Sequence, residues 1–557
     1  MVYNGDEVSA VVVDFGSHTT RAGYAGEDGP RVVTPSFYGY TDEASGSGEN
    51  GAHTDGDDPM DGEKKGKRKY YFGEDGVGVW RPRMEVGNFM VDGVVNDGEA
   101  AGAMLKHVLR ERLALDPSDH PLMLTEPAWN TPKAREELAQ LAFEGEGVPA
   151  LYFGSSGVLS AFAAGKPTAL VLDIGYANAS AVPVVDGYAL RAGTMRQPLA
   201  SSLVLNQLHH HFSNPTPTRD FGLSLLPRQL VKQRDTTGEA GAQPKPVVRD
   251  DRVQGTTPSW RAWAEQGVVD QWKEACAEVV SARGFDFQSA RDLPQVVYEF
   301  PDGYHQYFGE ERYRFTEMLF DPKNYFNQSI EPPASLRATP SGEHSHSLKD
   351  VVSLSQLVHD SIMACDVDVR AALLQNIVVV GNTSLTRGLV ERLDVELATL
   401  LPSVSTARLG ASSTEQTAIH QLSGANSCAQ KIKIHAPTIP YERKYASWLG
   451  GSVLASLGTF HQLWVTKDEY DEHGFNIIQQ QQSRTLEPGN LLRPAAGLEL
   501  LDVAKTELTI HRVQVDVDVF GFRVLFRFVA DLLGDQLGAA RALTPTDPLP
   551  SRIVRKV

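Results

Sequence analysis

A mixed α/β fold built from two related halves is what this sequence predicts, and three observations predict it. "SAVVVDFGSHTTRAGYAG" at 9–26 runs from an apolar stretch through Asp-x-Gly into a second extended stretch. "ALVLDIGYANASAVPVVDG" at 169–187 repeats that plan about 160 residues later. "NIVVVGNTSLTRGLVERL" at 376–393 is a third strand, turn and helix, with glycine at the strand end. Apolar runs bounded by glycine turns and followed by helical spacing are the signature of α/β architecture.

The two Asp-x-Gly units also suggest a chemistry. A polyphosphate is held between two hairpins when their turns present backbone N–H groups, glycine allows close approach, and a hydroxyl adds a donor. Asp14, Gly16 and Ser17 supply this on the first hairpin, and Asp173 and Gly175 on the second. Each aspartate suits a hydrated Mg²⁺ held through water, and Arg21 is placed to reach back to a phosphate. Most single Asp-x-Gly turns are only tight turns. Pairing them, with a third turn at Gly381 and Thr383, strengthens the phosphate reading.

Composition sets outer bounds. The chain has 557 residues, enough for two to four domains. It is 41% hydrophobic and 22% charged, ordinary for a globular protein. No uninterrupted apolar stretch is long enough to span a bilayer, and "MVYNGDEVSA" lacks the apolar core of a signal peptide. Cys276, Cys365 and Cys428 have no C-x-x-C spacing, which argues for a reducing compartment and against structural zinc. A net charge of −18 makes direct duplex-DNA binding poor, so no sequence-specific nucleic-acid contact is expected.

Along the chain, 41–69 is nearly free of apolar residues and reads as a disordered insert. Polar inserts follow at 233–259 and 333–349. Helical spacing appears at 99–115, where Ala103, Leu105, Val108, Leu109 and Leu113 share a face, and at 268–282 through Val269, Trp272, Cys276 and Val279. "HPLMLTEPAWN" (120–130) is a strand and turn, after which Thr131 and Pro132 form an N-cap and N1 pair. "WLGGSVLASLG" opens an apolar helix after a glycine pair, and no short-period repeat is visible.

Long motifs now carry a resemblance. "DFGSHTTRAGYAGEDGPR", "HPLMLTEPAWNTPKARE", "VPVVDGYAL", "SIMACDVDVR", "ERKYASWLGGSVLASLGTF" and "QLWVTKDEYDEHG" resemble actin and the actin-related proteins, in order, from residue 6 to about 474. "YNGDEVSAVVVDFGSHTTRAGYAGEDGP", "EPAWN" with Trp129, and "YEFPDGYHQYFGEERYRF" resemble the nuclear branch that includes a BAF-complex member. The resemblance implies the fold shared by actin, hexokinase and the heat-shock chaperone ATPases: two lobes, four subdomains, one nucleotide cleft. It assigns 1–40, 70–198 and 351–474 to a lobe carrying both phosphate hairpins, and 199–350 to the other. It implies ATP with Mg at Asp14, Gly16, Ser17, Thr19, Arg21, Asp173, Gly175, Gly381, Thr383 and Lys444, with Asp14 and Asp173 on the metal through water. It further implies a nuclear structural subunit of chromatin-remodelling and histone acetyltransferase complexes. There it would pair with nuclear actin on a helicase-SANT-associated helix and contact histones.

Departures from the family pattern bear on catalysis. Hydrolysis needs a water aimed in line at the terminal phosphate. Where actin has a glutamine and a histidine for this, "YFGSSGVLS" and "LDIGYANAS" give Ser156 and Ser180, with Tyr176 at an acidic position. A serine hydroxyl is too short to replace either group. A family glycine is His18, a glycine near the purine is Asn382, and Gly-Arg becomes Ser201 and Ser202. The expectation is retained, slowly exchanging nucleotide without useful turnover, set against a cleft held by side chains alone. An active ATPase or sugar kinase and a filament former are the rivals.

Other features admit two readings each. "KKGKRK" (64–69) reads as a nuclear localisation signal or as counter-charge to the acidic run before it. "HHH" (209–211) is a helix end rather than a metal site, because adjacent helical residues point apart. Trp260, Trp263 and Trp272 read as core before partner site, and Trp129 as a packing plug. The insert at 41–69 occupies the place of actin's filament-gripping loop, and its acidity argues against filaments. Beyond 475 the resemblance stops. That stretch, with a strand-like pattern at 511–533, is either a docking tail or a read-through in the gene model.

Overall fold

The structure is a computed structural model that describes residues 9–42, 68–217, 219–236, 238–282, 292–330, 350–400 and 432–486. All of these lie in one compact unit, Met1–Leu491. The expected strand at 511–533, the insert at 333–349, Cys428 and Lys64 to Lys67 of the basic run lie outside the described residues.

Two six-stranded sheets repeat one plan. In the first, Val11–Phe15 forms a hairpin with Thr19–Tyr24 and runs parallel to Leu122–Glu126 on its other side. Val32–Pro35, Ala150–Ser155 and Val465–Thr466 complete it. In the second, Ala169–Ile174 forms a hairpin with Ala179–Val185 and runs parallel to Ile377–Val380. Tyr188–Ala189, Met195–Gln197 and Ile434–His435 complete that sheet. Central strands such as Val11–Phe15 and Ile377–Val380 are buried throughout, as strands covered on both faces must be. The duplicated α/β class read from the turns is therefore the class observed.

Between the sheets lie two helices, Ser156–Ala163 and Ala446–Ser456, packed closely on each other. A Cβ on Gly450 would sit 1.8 Å from the Leu159 carbonyl oxygen, so the "GG" at 450–451 is what lets the helices cross. Thr131 caps the helix Pro132–Gln140 by accepting from the Ala134 amide at 3.1 Å, with Pro132 at N1.

The hydrophobic cores divide the chain differently from the lobes expected. One core joins Val11, Val13, Leu122, Leu124 and Leu151 to Met104 and Leu105. The other joins Leu170, Leu172 and Ile377 to Leu203, Trp272, Phe308 and Met318. One face of the second hairpin thus shares a core with 199–330, while its other face, through Val171, Val182 and Val184, packs with Ala161 and Ala446. Sequence places the hairpins; only packing partners decide which lobe they join.

Three boundaries also move. Thr41 and Asp42 pair with Lys69 and Arg68 in a hairpin, so the first insert is narrower than 41–69. Segment 233–259 is folded, with a short hairpin of Val231–Gln233 and Val247–Val248 and a helix Asp250–Gly255. The helix Phe475–Leu486 belongs to the body, because Ile477 and Ile478 are buried in the first core. Trp260 and Trp272 are fully buried, as the core reading required. No described helix is long and apolar enough to cross a membrane.

Candidate functional site

Hairpin register sets Asp14 opposite Arg21 and leaves Gly16, Ser17 and His18 as the first turn. The Gly16 amide donates to the Thr19 carbonyl at 3.2 Å, and a Cβ on Gly16 would lie 2.7 Å from that same oxygen. The turn is braced from outside: the Ser36 hydroxyl donates to the Gly16 carbonyl, and Asn88 Nδ2 donates to the Ser17 carbonyl at 2.8 Å. Asp14 is buried. Its Oδ2 lies 2.6 Å from Arg21 Nη1, and its other oxygen accepts from Thr125. Arg21 also donates to Thr19 Oγ1 at 2.9 Å, so this guanidinium is committed to its own hairpin rather than reaching outward.

The second turn follows the same construction. Asp173 stands opposite Ser180, and the Gly175 amide donates to the Asn178 carbonyl at 3.0 Å. Asp173 keeps partial solvent contact, yet the surrounding protein pushes its carboxyl up to about 6. Arg21 opposes that shift and Asp14 reinforces it, which brings the two aspartates and the arginine into one electrostatic group.

The third turn leans on the second. Gly381 adopts φ +90°, and a Cβ there would lie 2.4 Å from both Asp173 Oδ1 and the Ile174 carbonyl oxygen. Only glycine is accommodated. The Thr383 hydroxyl donates to the Gly175 carbonyl at 2.8 Å. The Gly381 amide donates to Arg443, next to Lys444, whose charge is felt at His18. Asp14, Arg21, Asp173, Gly175, Gly381 and Thr383 are thus brought together, with Arg21 turned to Asp14 and Thr19 of its own hairpin.

Lys273 and Asp270, which sequence reasoning passed over, join Ser201, Ser202, Tyr176 and His18 beside these turns. The Ser202 amide donates to the Tyr176 carbonyl at 2.8 Å, at the start of the helix Ser201–Ser213. Lys273 Nζ is buried 2.6 Å from both Ser201 Oγ and Asp270 Oδ1. Lys273 and Asp270 sit on a helix whose pattern signals only core, so no local signal marked them. His18 lies with its ring centroid 4.8 Å from that of Tyr176 and its Nε2 4.0 Å from Asp270. Crowding lowers its pKa, against the pull of Asp270 and with that of Lys273, Arg21 and Lys444. The substitution at 18 therefore places an aromatic contact between the two turns.

Ser156 and Ser180 are both short polar side chains. Ser156 opens the helix Ser156–Ala163, and Ser180 is buried between Asp173 on one neighbouring strand and Arg196 on the other. Among the described residues no three His, Cys, Asp or Glu side chains converge to bind a metal directly. In the "HHH" run, His209 pairs with Glu265 at 3.0 Å. The donor set fits an indirectly held hydrated cation better at Asp173, whose carboxyl is raised chiefly by burial, than at Asp14, whose oxygens are both engaged.

Paired glycine turns in two duplicated sheets, each following an aspartate-bearing strand, mark the two-lobed α/β class. The family model for actin matches residues 5–483, and the chain belongs to the actin family. Among curated relatives it is similar to actin-related protein 4 of Mycosarcoma maydis, at 35% identity over 86% of this chain and 98% of that protein. It is 34% identical to actin-related protein 4 of Schizosaccharomyces pombe, over 85% of this chain and 96% of the relative. It is also 33% identical to that organism's SWI/SNF and RSC complexes subunit arp42, over 84% of this chain and 97% of the relative.

Proposed function

We propose that the chain is a nuclear, non-catalytic actin-related protein that serves as a structural subunit of chromatin-remodelling and histone acetyltransferase assemblies. In them it pairs with actin on a helicase-SANT-associated helix and contacts histones. The observation that carries this reading is similarity over nearly the whole length of actin-related protein 4 relatives and of a named SWI/SNF and RSC subunit. The clamp would take ATP with Mg at the turns of Gly16, Gly175 and Gly381, with Asp173 holding the hydrated cation through water. Ser156 and Ser180 are too short to aim water at a terminal phosphate, so on this reading the ligand's binding free energy stabilises the closed shape rather than driving turnover. Magnesium, when bound, neutralises phosphate charge; the chain's own residues position and enclose the phosphates.

Affinity purification of the full chain from nuclear extract tests the assignment. Recovery of actin with acetyltransferase and remodeller subunits supports it, and recovery of cytoskeletal proteins alone overturns it. Pelleting at high concentration separates out the filament-forming rival.

A further inference from the structure

We infer that the outer end of the cleft is bridged shut by the protein itself, so that the lobes do not part there when ligand comes and goes. The bridge joins residues 77–86 of the first lobe to residues 229–264 of the second. At its centre Met84, Leu230, Trp260 and Ala264 form a small buried core, with Trp80, Val86 and Trp263 packed around it. Gly39 makes room for this: a Cβ there would lie 2.5 Å from Met84 Sδ.

Backbone groups pair across the same contact. The Arg83 amide donates to the Gly255 carbonyl at 2.9 Å, and the Val86 amide donates to Ser259 Oγ at 2.8 Å. Trp80 Nε1 donates to Thr256 Oγ1 at 2.9 Å, and Gln229 Nε2 donates to the Gly78 carbonyl at 3.0 Å. Thr257, which caps the helix Pro258–Cys276, donates its hydroxyl to the Met84 carbonyl. These donors and acceptors, and the apolar side chains around Met84, meet partners from the opposite lobe, as in a folded interior rather than a transient touch.

The helix Pro258–Cys276 makes the bridge rigid. Its first turns supply Trp260 and Ala264 to the bridge, while Val268, Val269, Trp272 and Cys276 lie in the second lobe's own core. One continuous helix of about 28 Å is therefore anchored at both ends. Opening the cleft at this end requires exposing Met84, Leu230 and Trp260 to water. Folding of the polar segment 233–259 has a purpose on this account, since its helix and hairpin carry Gly255, Thr256 and Thr257 to the contact. Ligand exchange then proceeds by local breathing of the bridge instead of hinge opening. The bridge itself does not depend on the nucleotide reading; its effect on exchange does.

The Arg83 and Val86 amides are direct reporters, because their acceptors belong to the other lobe. Amide hydrogen exchange on the full chain, stripped of nucleotide and again with Mg-ATP, is the test, alongside Met84→Ala and the milder Ser259→Ala. Protection of both amides in stripped protein, lost by roughly tenfold or more in Met84→Ala, supports the bridge. Ser259→Ala should release Val86 alone, which keeps the test open if Met84→Ala fails to fold. Solvent-rate exchange in stripped wild type, with protection gained only on adding Mg-ATP, overturns the bridge while leaving nucleotide binding intact. Release of a fluorescent ATP analogue should quicken about tenfold in Met84→Ala. Unchanged release there overturns the gating, and failure of the analogue to bind wild type overturns the nucleotide reading without touching the amide result.

Discussion

The Thr383 hydroxyl donates to the Gly175 carbonyl at 2.8 Å, so the third glycine turn is fastened directly to the second. Thr383 is buried, and removing its hydroxyl leaves the Gly175 carbonyl without that partner. Thr383→Ala should cost about 1–2 kcal/mol, and Thr383→Ser much less. Thermal unfolding of the three proteins checks the order.

Gly381→Ala should be more severe. A methyl there meets Asp173 and the Ile174 carbonyl at 2.4 Å, and φ +90° already disfavours any L-residue. Strain alone amounts to about 1–3 kcal/mol. Soluble yield and melting temperature should both fall, and a variant that melts with the wild type would remove the close approach from the account.

Arg21→Ala leaves Asp14 buried with a charge that only Thr125 still contacts. Losing one partner of such a pair costs on the order of 3–5 kcal/mol. Arg21→Lys restores charge but not the second bond to Thr19. Denaturant unfolding should therefore rank wild type above lysine and lysine above alanine.

The sequence made the turns legible because their chemistry is local. Asp14, Gly16, Asp173 and Gly175 declare themselves within a few residues, and Thr131 with Pro132 declares a helix start. What stayed hidden was long-range. Nothing near Met84 announces Leu230 or Trp260, and periodicity says only that such residues are buried. Segment 233–259 reads as a polar insert because the groups it packs on, such as Trp80 and Pro82 beside Gly255, come from the other lobe. The partners of the second hairpin at 199–330 lie far along the chain and are hidden for the same reason. Lys273 and Asp270 escaped notice because a helical pattern marks burial, not which side chains turn toward a cleft.

Asp173 makes stability depend on pH. Its folded pKa of about 6 stands above the unfolded value of 3.8, so the folded state binds this proton more tightly. The stabilising contribution is fully present below the unfolded value and is lost as pH rises through about 6. Nucleotide-free protein should melt higher at pH 5 than at pH 7 through this group. Asp173→Asn should flatten that difference and stabilise the stripped protein at pH 7 by about 1–2 kcal/mol, allowing for screening by cleft water. It should also weaken any magnesium dependence of nucleotide binding.

Turnover is the sharpest check on the serines. Single-turnover mixing of the full chain with Mg-ATP should show no phosphate release beyond a few slow events per hour. Ser156→Gln with Ser180→His reinstates both long polar groups and should raise the rate by at least about tenfold. Ser180 is buried between Asp173 and Arg196, so the imidazole needs local repacking, and Ser156→Gln alone is the milder variant. Brisk hydrolysis by the wild type, abolished in Asp173→Ala, would falsify the non-catalytic reading.

A second cross-lobe contact joins the second glycine turn through Asn178. Asp92 and Gly93 form the tip of the hairpin Met90–Val91 and Val94–Val95, both with positive φ as a tight Asp-Gly turn requires. Asp92 accepts from Asn178 Nδ2 at 3.1 Å and lies 3.0 Å from Arg196, while Arg196 stacks over Trp129 at 4.9 Å. Asn178 belongs to the second turn, so this hairpin of the first lobe holds that turn in place. Both ions are shielded, which makes each expensive alone. Arg196→Met should destabilise by about 3 kcal/mol or more, since Asp92 keeps its charge without its cation. Asp92→Asn should cost less, because asparagine tolerates left-handed backbone and still accepts from Asn178. Combining the two removes both charges, and the double variant should be more stable than Arg196→Met alone. A double-mutant cycle by denaturant unfolding measures that coupling. Strict additivity of the two substitutions would show that Asp92 and Arg196 do not act as a pair, and that the turn is held by Asn178 and Trp129 without them.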